Sequence, residues 1–299
     1  MTVVDVAGIP VAVRVAQDHH RVAVLDALAG FPATDAVPTA SITVDGELAP
    51  EPHAPPLAEE RGFRLWVVGG DPVASAPSGV VRVSGVHAAL HITGELHDDV
   101  DGLVAIALAW MLARHERYLV HGAAIARDGV GYLVLGESGA GKSTLAAGAL
   151  EAGWSVLSDD LAVIALGGDR IQLFGIHRDP AIPMELGGPV VEQGTPLNGP
   201  RQRALLDRAV LTAGGVDLTG TIVVTHADDA AGTLAPASAR RVVPLLLKSF
   251  APTVDDRLRS QFFAFTERIV ALPAWELGHA ADVAQRRAHV ASALTQCGP

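Results

Sequence analysis

The run Gly136-Glu137-Ser138-Gly139-Ala140-Gly141-Lys142-Ser143-Thr144 constrains this chain more than any other stretch. It satisfies the phosphate-binding pattern G-x-x-x-x-G-K-S/T at every fixed position. Its surroundings agree. Gly131-Tyr132-Leu133-Val134-Leu135 reads as a short apolar strand leading in, and the Ala/Leu-rich stretch Thr144–Ala152 reads as a helix leading out. Gly136, Gly139 and Gly141 let the backbone curl so that successive N–H groups face one point. The following helix aims its unpaired amides and positive dipole end at an anion. Lys142 is expected to reach the β- and γ-phosphates of a nucleotide, and the Ser143 hydroxyl to ligate Mg²⁺. The loop alone leaves kinase, ATPase, GTPase and transporter open.

Two carboxylates extend the pattern. Gly153 ends the helix, Ser155-Val156-Leu157-Ser158 reads as a strand, and Asp159-Asp160 follows. Acidic residues at the C-terminal end of such a strand sit where α/β sheets bind ligands. One can serve Mg²⁺ and the other can accept a proton from an attacking hydroxyl. Upstream, Tyr118-Leu119-Val120-His121-Gly122-Ala123-Ala124 is a strand carrying a histidine just before the glycine-rich loop.

The rest of the chain is read by period and punctuation. Residues 1–98 form a small β-rich N-terminal domain, with strands at Val11–Val15, Ser41–Val44, Phe63–Val68, Val80–Val83 and Ala89–Ile92. The strands of 1–46 surround a polar segment, and a Pro/Ala-rich stretch over 47–56 reads as a loop or linker. Residues 99–299 form the catalytic domain, entered by a helix from about Gly102 to Glu116. Leu161–Leu166 and Ile171–Phe174 flank Gly167-Gly168-Asp169-Arg170 as a hairpin, so the sheet is mixed. Residues 178–205 are Pro/Gly-rich and read as a functional loop. Arg178, Arg201 and Arg203, in or beside it, are candidates for clamping a transferring phosphoryl group. Thr253 and Asp256 resemble a capping box before the apolar stripe Val254, Leu258, Phe262, Phe265. A strand at Ile269–Leu272 and an Ala-rich helix from about Ala280 follow.

Composition narrows the partners. The chain has 299 residues, 49% hydrophobic and 18% charged, with a net charge of −11. That suffices for a substantial core, while the acidic balance disfavours a nucleic-acid partner and suits a basic or neutral peptide better. Cys297 is the single cysteine, so no disulfide forms within the chain, which fits a reducing, cytoplasmic setting. The first residues show no basic region followed by an apolar one. The longest uncharged apolar run, Gly102–Ala113, is too short to span a bilayer and reads as a buried helix, so no membrane association is expected. The twelve histidines form no metal-binding motif.

Taken in order, His121-Gly122-Ala123-Ala124, the loop Gly136–Thr144 and Gly153-Trp154-Ser155-Val156-Leu157-Ser158-Asp159-Asp160 resemble the catalytic core of the HPr serine kinase/phosphorylase family. The resemblance covers about residues 118–166 and is greatest to the shorter branch, which includes kinases of ribosomal-peptide biosynthesis. It implies a phosphoenolpyruvate-carboxykinase-like P-loop kinase core. It also implies ATP- and Mg²⁺-dependent transfer of the γ-phosphoryl group to a serine hydroxyl of a peptide or small protein. Carried over by position, Asp160 accepts the proton, His121 assists it, and Lys142 and Ser143 hold the phosphates and Mg²⁺. Glu185 falls at about the distance of the family's metal-binding glutamate, without that motif's surrounding residues. The basic loop tied to the reverse phosphorylase reaction has no counterpart, and residues 1–98 do not resemble the HPr enzymes. Related kinases often assemble, so a homo-oligomer fits.

Other readings compete. Asp217-Leu218-Thr219-Gly220 matches the GTPase pattern D-x-x-G, and Thr225-His226-Ala227-Asp228 echoes a guanine-reading motif without its Asn and Lys. A transport ATPase would carry a longer apolar strand ending in Asp-Glu. A kinase of a small-molecule hydroxyl and a non-catalytic nucleotide-binding regulator are the remaining alternatives.

Overall fold

The computed structural model describes residues 1–28, 30–45, 51–93, 99–176, 181–183, 201–203, 215–226, 234–279, 290 and 292–294. The chain is mixed α/β with two mixed sheets, and it divides into two compact units. One comprises Met1–Leu119 with Phe250–Ala264, the other Val120–Ser249 with Phe265–Pro299. The division therefore differs from the 98/99 boundary read from the sequence.

The first unit holds β1 (Thr2–Val6), β2 (Ile9–Val15), α1 (Asp18–Ala27), β3 (Ala40–Val44), β4 (Ala58–Glu60), β5 (Phe63–Val68), β6 (Asp71–Ala76), β7 (Gly79–Ser84), β8 (His87–Ile92) and α2 (Asp99–Ala113). Its eight-stranded sheet runs β1-β2-β3-β8-β7-β6-β5-β4. Pairing is antiparallel except at β2–β3 and β3–β8. The helix α1 stands where a polar segment was expected. His20 and Val24 supply its buried face, and Leu28, just past its end, continues the spacing. Helix α2 is apolar almost all round and packs on β6, β7 and β8, as a core helix does. This packing moves the division beyond residue 98. The polar end of α2 is used as well: the Asp99 carboxylate accepts from both the amide and the hydroxyl of Ser78.

Two further elements begin in the first unit and end in the second: β9 (Arg117–His121) and α5 (Asp256–Val270). The expected stripe along α5 is present, with Leu258, Phe262 and Phe265 buried. The cap differs. Asp255 Oδ1 accepts from the amides of Arg257 and Leu258 at 2.8 and 3.0 Å, so Asp255 caps the helix, while Thr253 Oγ1 only accepts from the Asp255 amide. A second correction follows at the other end. Ile269 and Val270 close α5 instead of opening a strand, because Ile269 continues the stripe one turn past Phe265.

The second unit holds β10 (Ala123–Arg127), β11 (Val130–Leu135), α3 (Lys142–Glu151), β12 (Ser155–Ser158), β13 (Leu161–Gly167), β14 (Arg170–Gly175), β15 (Ala181–Pro183), β16 (Arg201–Arg203), β17 (Val216–His226), β18 (Leu234–Pro236), α4 (Ala239–Lys248) and β19 (Ala274–His279). Its nine-stranded sheet follows β12-β10-β11-β17-β14-β13-β9, with β19 also on β17 and β18 on β19. β11 runs parallel to β17, and β17 to β19. The hairpin β13–β14 forms as read, with Gly167 opposite Arg170. Helix α3 buries Leu145, Ala146 and Ala149 in a core with Tyr132, Trp154 and Val134. The Tyr132 ring packs 5.8 Å from Trp154 and 5.7 Å from Trp275, between centroids. Residues from 280 onward are described only at 290 and 292–294, which are helical.

Candidate functional site

Strand direction decides which residues meet. β12 is antiparallel to β10, and β10 is antiparallel to β11, so β11 and β12 point the same way. The chain leaves β11 after Leu135, leaves β12 after Ser158 and enters β10 at Ala123, all at one end of the sheet. The glycine-rich loop, Asp159-Asp160 and His121-Gly122 therefore share that end. β17 and β19, parallel to β11, also finish there.

The loop adopts the conformation its glycines permit. Gly139 and Gly141 take φ of +80° and +106°, the left-handed region that side chains with a Cβ avoid. Gly141 is the N-cap of α3 and brings no side-chain cap to the first turn, the end of a helix at which anions bind. Ala140 is buried in the core, whereas Glu137 and Ser138 are exposed. Lys142 is the first residue of α3 and is buried. Its Nζ donates to the carbonyls of Gly136 and Glu137 at 3.0 and 3.3 Å, so the ammonium lies within the loop's curve. Ser143 is half-buried and Thr144 buried in the same turn.

Asp160 is exposed and faces His121, whose Nδ1 comes to 3.1 Å from Asp160 Oδ1. Backbone bonds hold both. The Gly122 amide donates to the Asp160 carbonyl at 2.8 Å, and the His121 amide to the Ser249 carbonyl at 3.0 Å. Ser158 Oγ accepts from the amides of Asp160 and Leu161, fixing the turn after β12. β12 bulges just before that turn, with Ala124 opposite Ser158 but Ile125 opposite Val156. An extra residue of this kind re-aims the side chains beyond it. Asp159 is 8% exposed. Its neighbour Asp160 faces outward, so the pair divides into one buried and one accessible carboxylate.

Metal binding at this end is testable against the donors present. Among the described residues no group of three or more His, Cys, Asp or Glu side chains comes together. A buried carboxylate and a hydroxyl fit Mg²⁺ that takes most of its ligands from water and substrate phosphates. Glu185 and Arg178 lie outside the described residues. Arg201 and Arg203 form β16, paired with β15.

Nothing in the residue pattern pointed to the part played by α4. Its last-turn Lys248 meets Glu137 of the loop at 2.6 Å, and Ser249 receives His121. At its first turn Arg241 Nε lies 3.4 Å from Glu276, which also accepts from Thr225 Oγ1 at 3.2 Å. No spacing in the sequence links a lysine on an amphipathic helix to a loop so far upstream.

The GTPase pattern has a structural explanation. Asp217-Leu218-Thr219-Gly220 lies inside β17, not in a loop. Gly131 pairs with Leu218 and Tyr132 with Gly220, so Thr219 is the extra residue of a bulge. A Cβ on Gly220 would come within 2.5 Å of the Trp275 ring, so the glycine answers to packing. Among the described residues no helix is long and apolar enough to cross a membrane. No model of a known protein family matches the chain, and no curated protein matches it.

Proposed function

We propose that the second unit is an HPr-kinase-like, phosphoenolpyruvate-carboxykinase-type P-loop kinase. It transfers the γ-phosphoryl group of ATP, with Mg²⁺, to a serine or similar hydroxyl of a peptide or small protein. The observation that carries the reading is the 3.1 Å His121–Asp160 pair at the same end of the sheet as the glycine-rich loop. A phosphate cradle alone would serve a regulator, whereas an accessible carboxylate braced by an imidazole is what a proton-accepting step needs.

In the reaction the acceptor oxygen bonds to the γ-phosphorus, the bond from that phosphorus to the β–γ bridging oxygen breaks, and ADP leaves. The hydroxyl proton passes to Asp160, with His121 orienting the carboxylate. Lys142 exchanges its contacts with the Gly136 and Glu137 carbonyls for the phosphate oxygens, and the loop amides take the developing charge. Asp159 and Ser143 would hold Mg²⁺, which would supply charge neutralisation for the transferring group. The acidic balance favours a basic or neutral peptide over nucleic acid, and the proposed setting is the cytoplasm. Homo-oligomerisation is compatible with this reading.

Intact-mass spectrometry tests it. Candidate peptides, small proteins and free hydroxyl compounds are incubated with the protein, Mg²⁺ and ATP. We expect one phosphate on a peptide, with Asp160→Asn slowing transfer about 100- to 10,000-fold while still binding ATP. Lys142→Ala is expected to weaken both binding and transfer. Wild-type turnover in Asp160→Asn refutes the proton acceptor. Product only on a small molecule moves the reading to a metabolite kinase, and ATP binding without any product favours a regulator.

A further inference from the structure

A cleft of 280 Å³ opens beside the loop, on its β17 side. It is bounded by Glu137 and Ala140 of the loop, Val224 and Thr225 of β17, and Pro244 and Leu245 of α4. The sheet order β12-β10-β11-β17 sets its relation to the chemistry. His121 and Asp160 belong to the β10–β12 side of the loop strand, and the cleft belongs to the β17 side.

Its size and lining restrict the occupant. Small-molecule pockets commonly run to about 300–1,000 Å³, so this one suits a single heterocycle with its sugar and is too small for a folded peptide. Pro244 and Leu245, which are not buried, offer apolar contact to a flat ring. Thr225 supplies a polar group, and Glu137, Arg240 and Arg241 supply charged ones. Its hydroxyl hydrogen is committed to Glu276 at 3.2 Å, so Oγ1 presents only lone pairs to the cleft and selects a ligand with a donor, such as an exocyclic amino group or a ribose hydroxyl. Glu276 also faces Arg241, so Thr225 and Arg241 are both fixed from behind.

We propose that this cleft is the nucleoside subsite of the same site. A nucleotide with its γ-phosphate turned toward Asp160 runs its phosphate chain along the loop and ends with base and ribose against Pro244 and Leu245. Thr225 Oγ1 accepts a hydrogen bond from the nucleoside. Glu276 acts as a positioning residue through Thr225. The inference rests on the phosphate-binding reading of the loop.

The experiment uses the full chain with Mg²⁺ and compares the affinities of ATP and inorganic tripolyphosphate by calorimetry. Pro244→Trp places an indole at the exposed rim of the cleft, and Thr225→Val removes the acceptor at constant shape. We expect ATP to weaken about tenfold or more in Pro244→Trp and about 2- to 10-fold in Thr225→Val, with tripolyphosphate unchanged in both. Wild-type protein is also labelled with a photoreactive azidoadenine analogue of ATP, and labels are expected within 223–225 or 240–245. Unchanged ATP affinity in both variants, ATP no tighter than tripolyphosphate, or ATP-protected labels elsewhere each overturn the subsite. Loss of acceptor phosphorylation in Pro244→Trp with unchanged ATP affinity assigns the cleft to the acceptor and overturns it too. If both variants lose ATP and tripolyphosphate in parallel, the label positions decide. A wild type that binds neither ligand refutes the phosphate loop itself, a different failure.

Discussion

Asp160 and Asp159 are adjacent in the chain yet differ in environment, and that difference is what would let two identical side chains take the two roles proposed for them. The sequence showed the pair, the lysine and the histidine because each is a chemically distinctive residue at a fixed distance from a strand end. It could not show Lys248 reaching Glu137 or Glu276 holding Thr225, because those partners meet only through the order of strands and the lie of α4. His115 was equally silent. Burial, reinforced by the neighbouring Arg117 guanidinium, holds its imidazole below the ordinary value of 6.5, and its buried Nε2 has no hydrogen-bond partner among the described residues. The folded state thus favours neutral His115, and the unfolded chain takes up the proton first as pH falls. The contribution is present above about pH 6.5 and is lost as pH drops toward the lowered value, at no more than about 1.4 kcal/mol per pH unit. Urea melts at pH 7.5 and 5.5 should show wild type losing more stability than His115→Leu. Equal losses would show that His115 does not titrate with folding.

At the scale of elements, the apolar period was the reliable signal and its misreadings have local causes. The hairpin β13–β14 and the strand–loop–helix unit β11–α3 were legible because turn glycines and apolar runs agree. Helix α1 was hidden because one position of its buried stripe is His20, paired with Asp45 at 2.6 Å. β6 was hidden by Pro72 and Ser75 in a strand that its neighbours β5 and β7 stabilise. The strand expected at Ile269–Leu272 followed β-propensity where the stripe through Leu258, Phe262 and Phe265 already demanded a helix. The start of α5 gives a prediction. Asp255 caps it with one oxygen and meets Arg114 with the other at 3.2 Å. Asp255→Ala removes both, and a lost N-cap costs about 0.5–2 kcal/mol. We expect a loss at the upper end of that range by chemical denaturation, with Asp255→Asn recovering part of it through the amide oxygen. Equal stability of all three proteins would show that Thr253 or solvent serves the helix end.

For the whole molecule, the sequence revealed that there are two regions but not how the chain is shared between them. The last strand-like stretch before the helix at Gly102–Glu116 suggested an end to the β-rich part at residue 98. The first unit in fact continues through α2 to Leu119 and takes in 250–264, a return that no local signal announces. Long-range contacts define it: Trp110 Nε1 donates to the Pro252 carbonyl at 3.0 Å, and Phe262 stacks on Phe250 and meets Tyr118 edge-on. Cutting at 98 is therefore the wrong way to ask what the N-terminal region contributes. It would strip β6–β8 from α2 and expose side chains such as Leu103, Ile106 and Leu112, each worth about 1.5–3 kcal/mol when buried. A few such losses equal the entire stability of a typical domain, about 5–15 kcal/mol. We expect a chain of residues 99–299 to aggregate or to lose near-UV circular dichroism from Trp110. A soluble, cooperatively melting 99–299 protein with that signal intact would show that the sheet does not hold α2. Substitutions on exposed residues of the first sheet, such as Val67 and Val68, leave this core whole and so separate a role in acceptor choice from a role in folding.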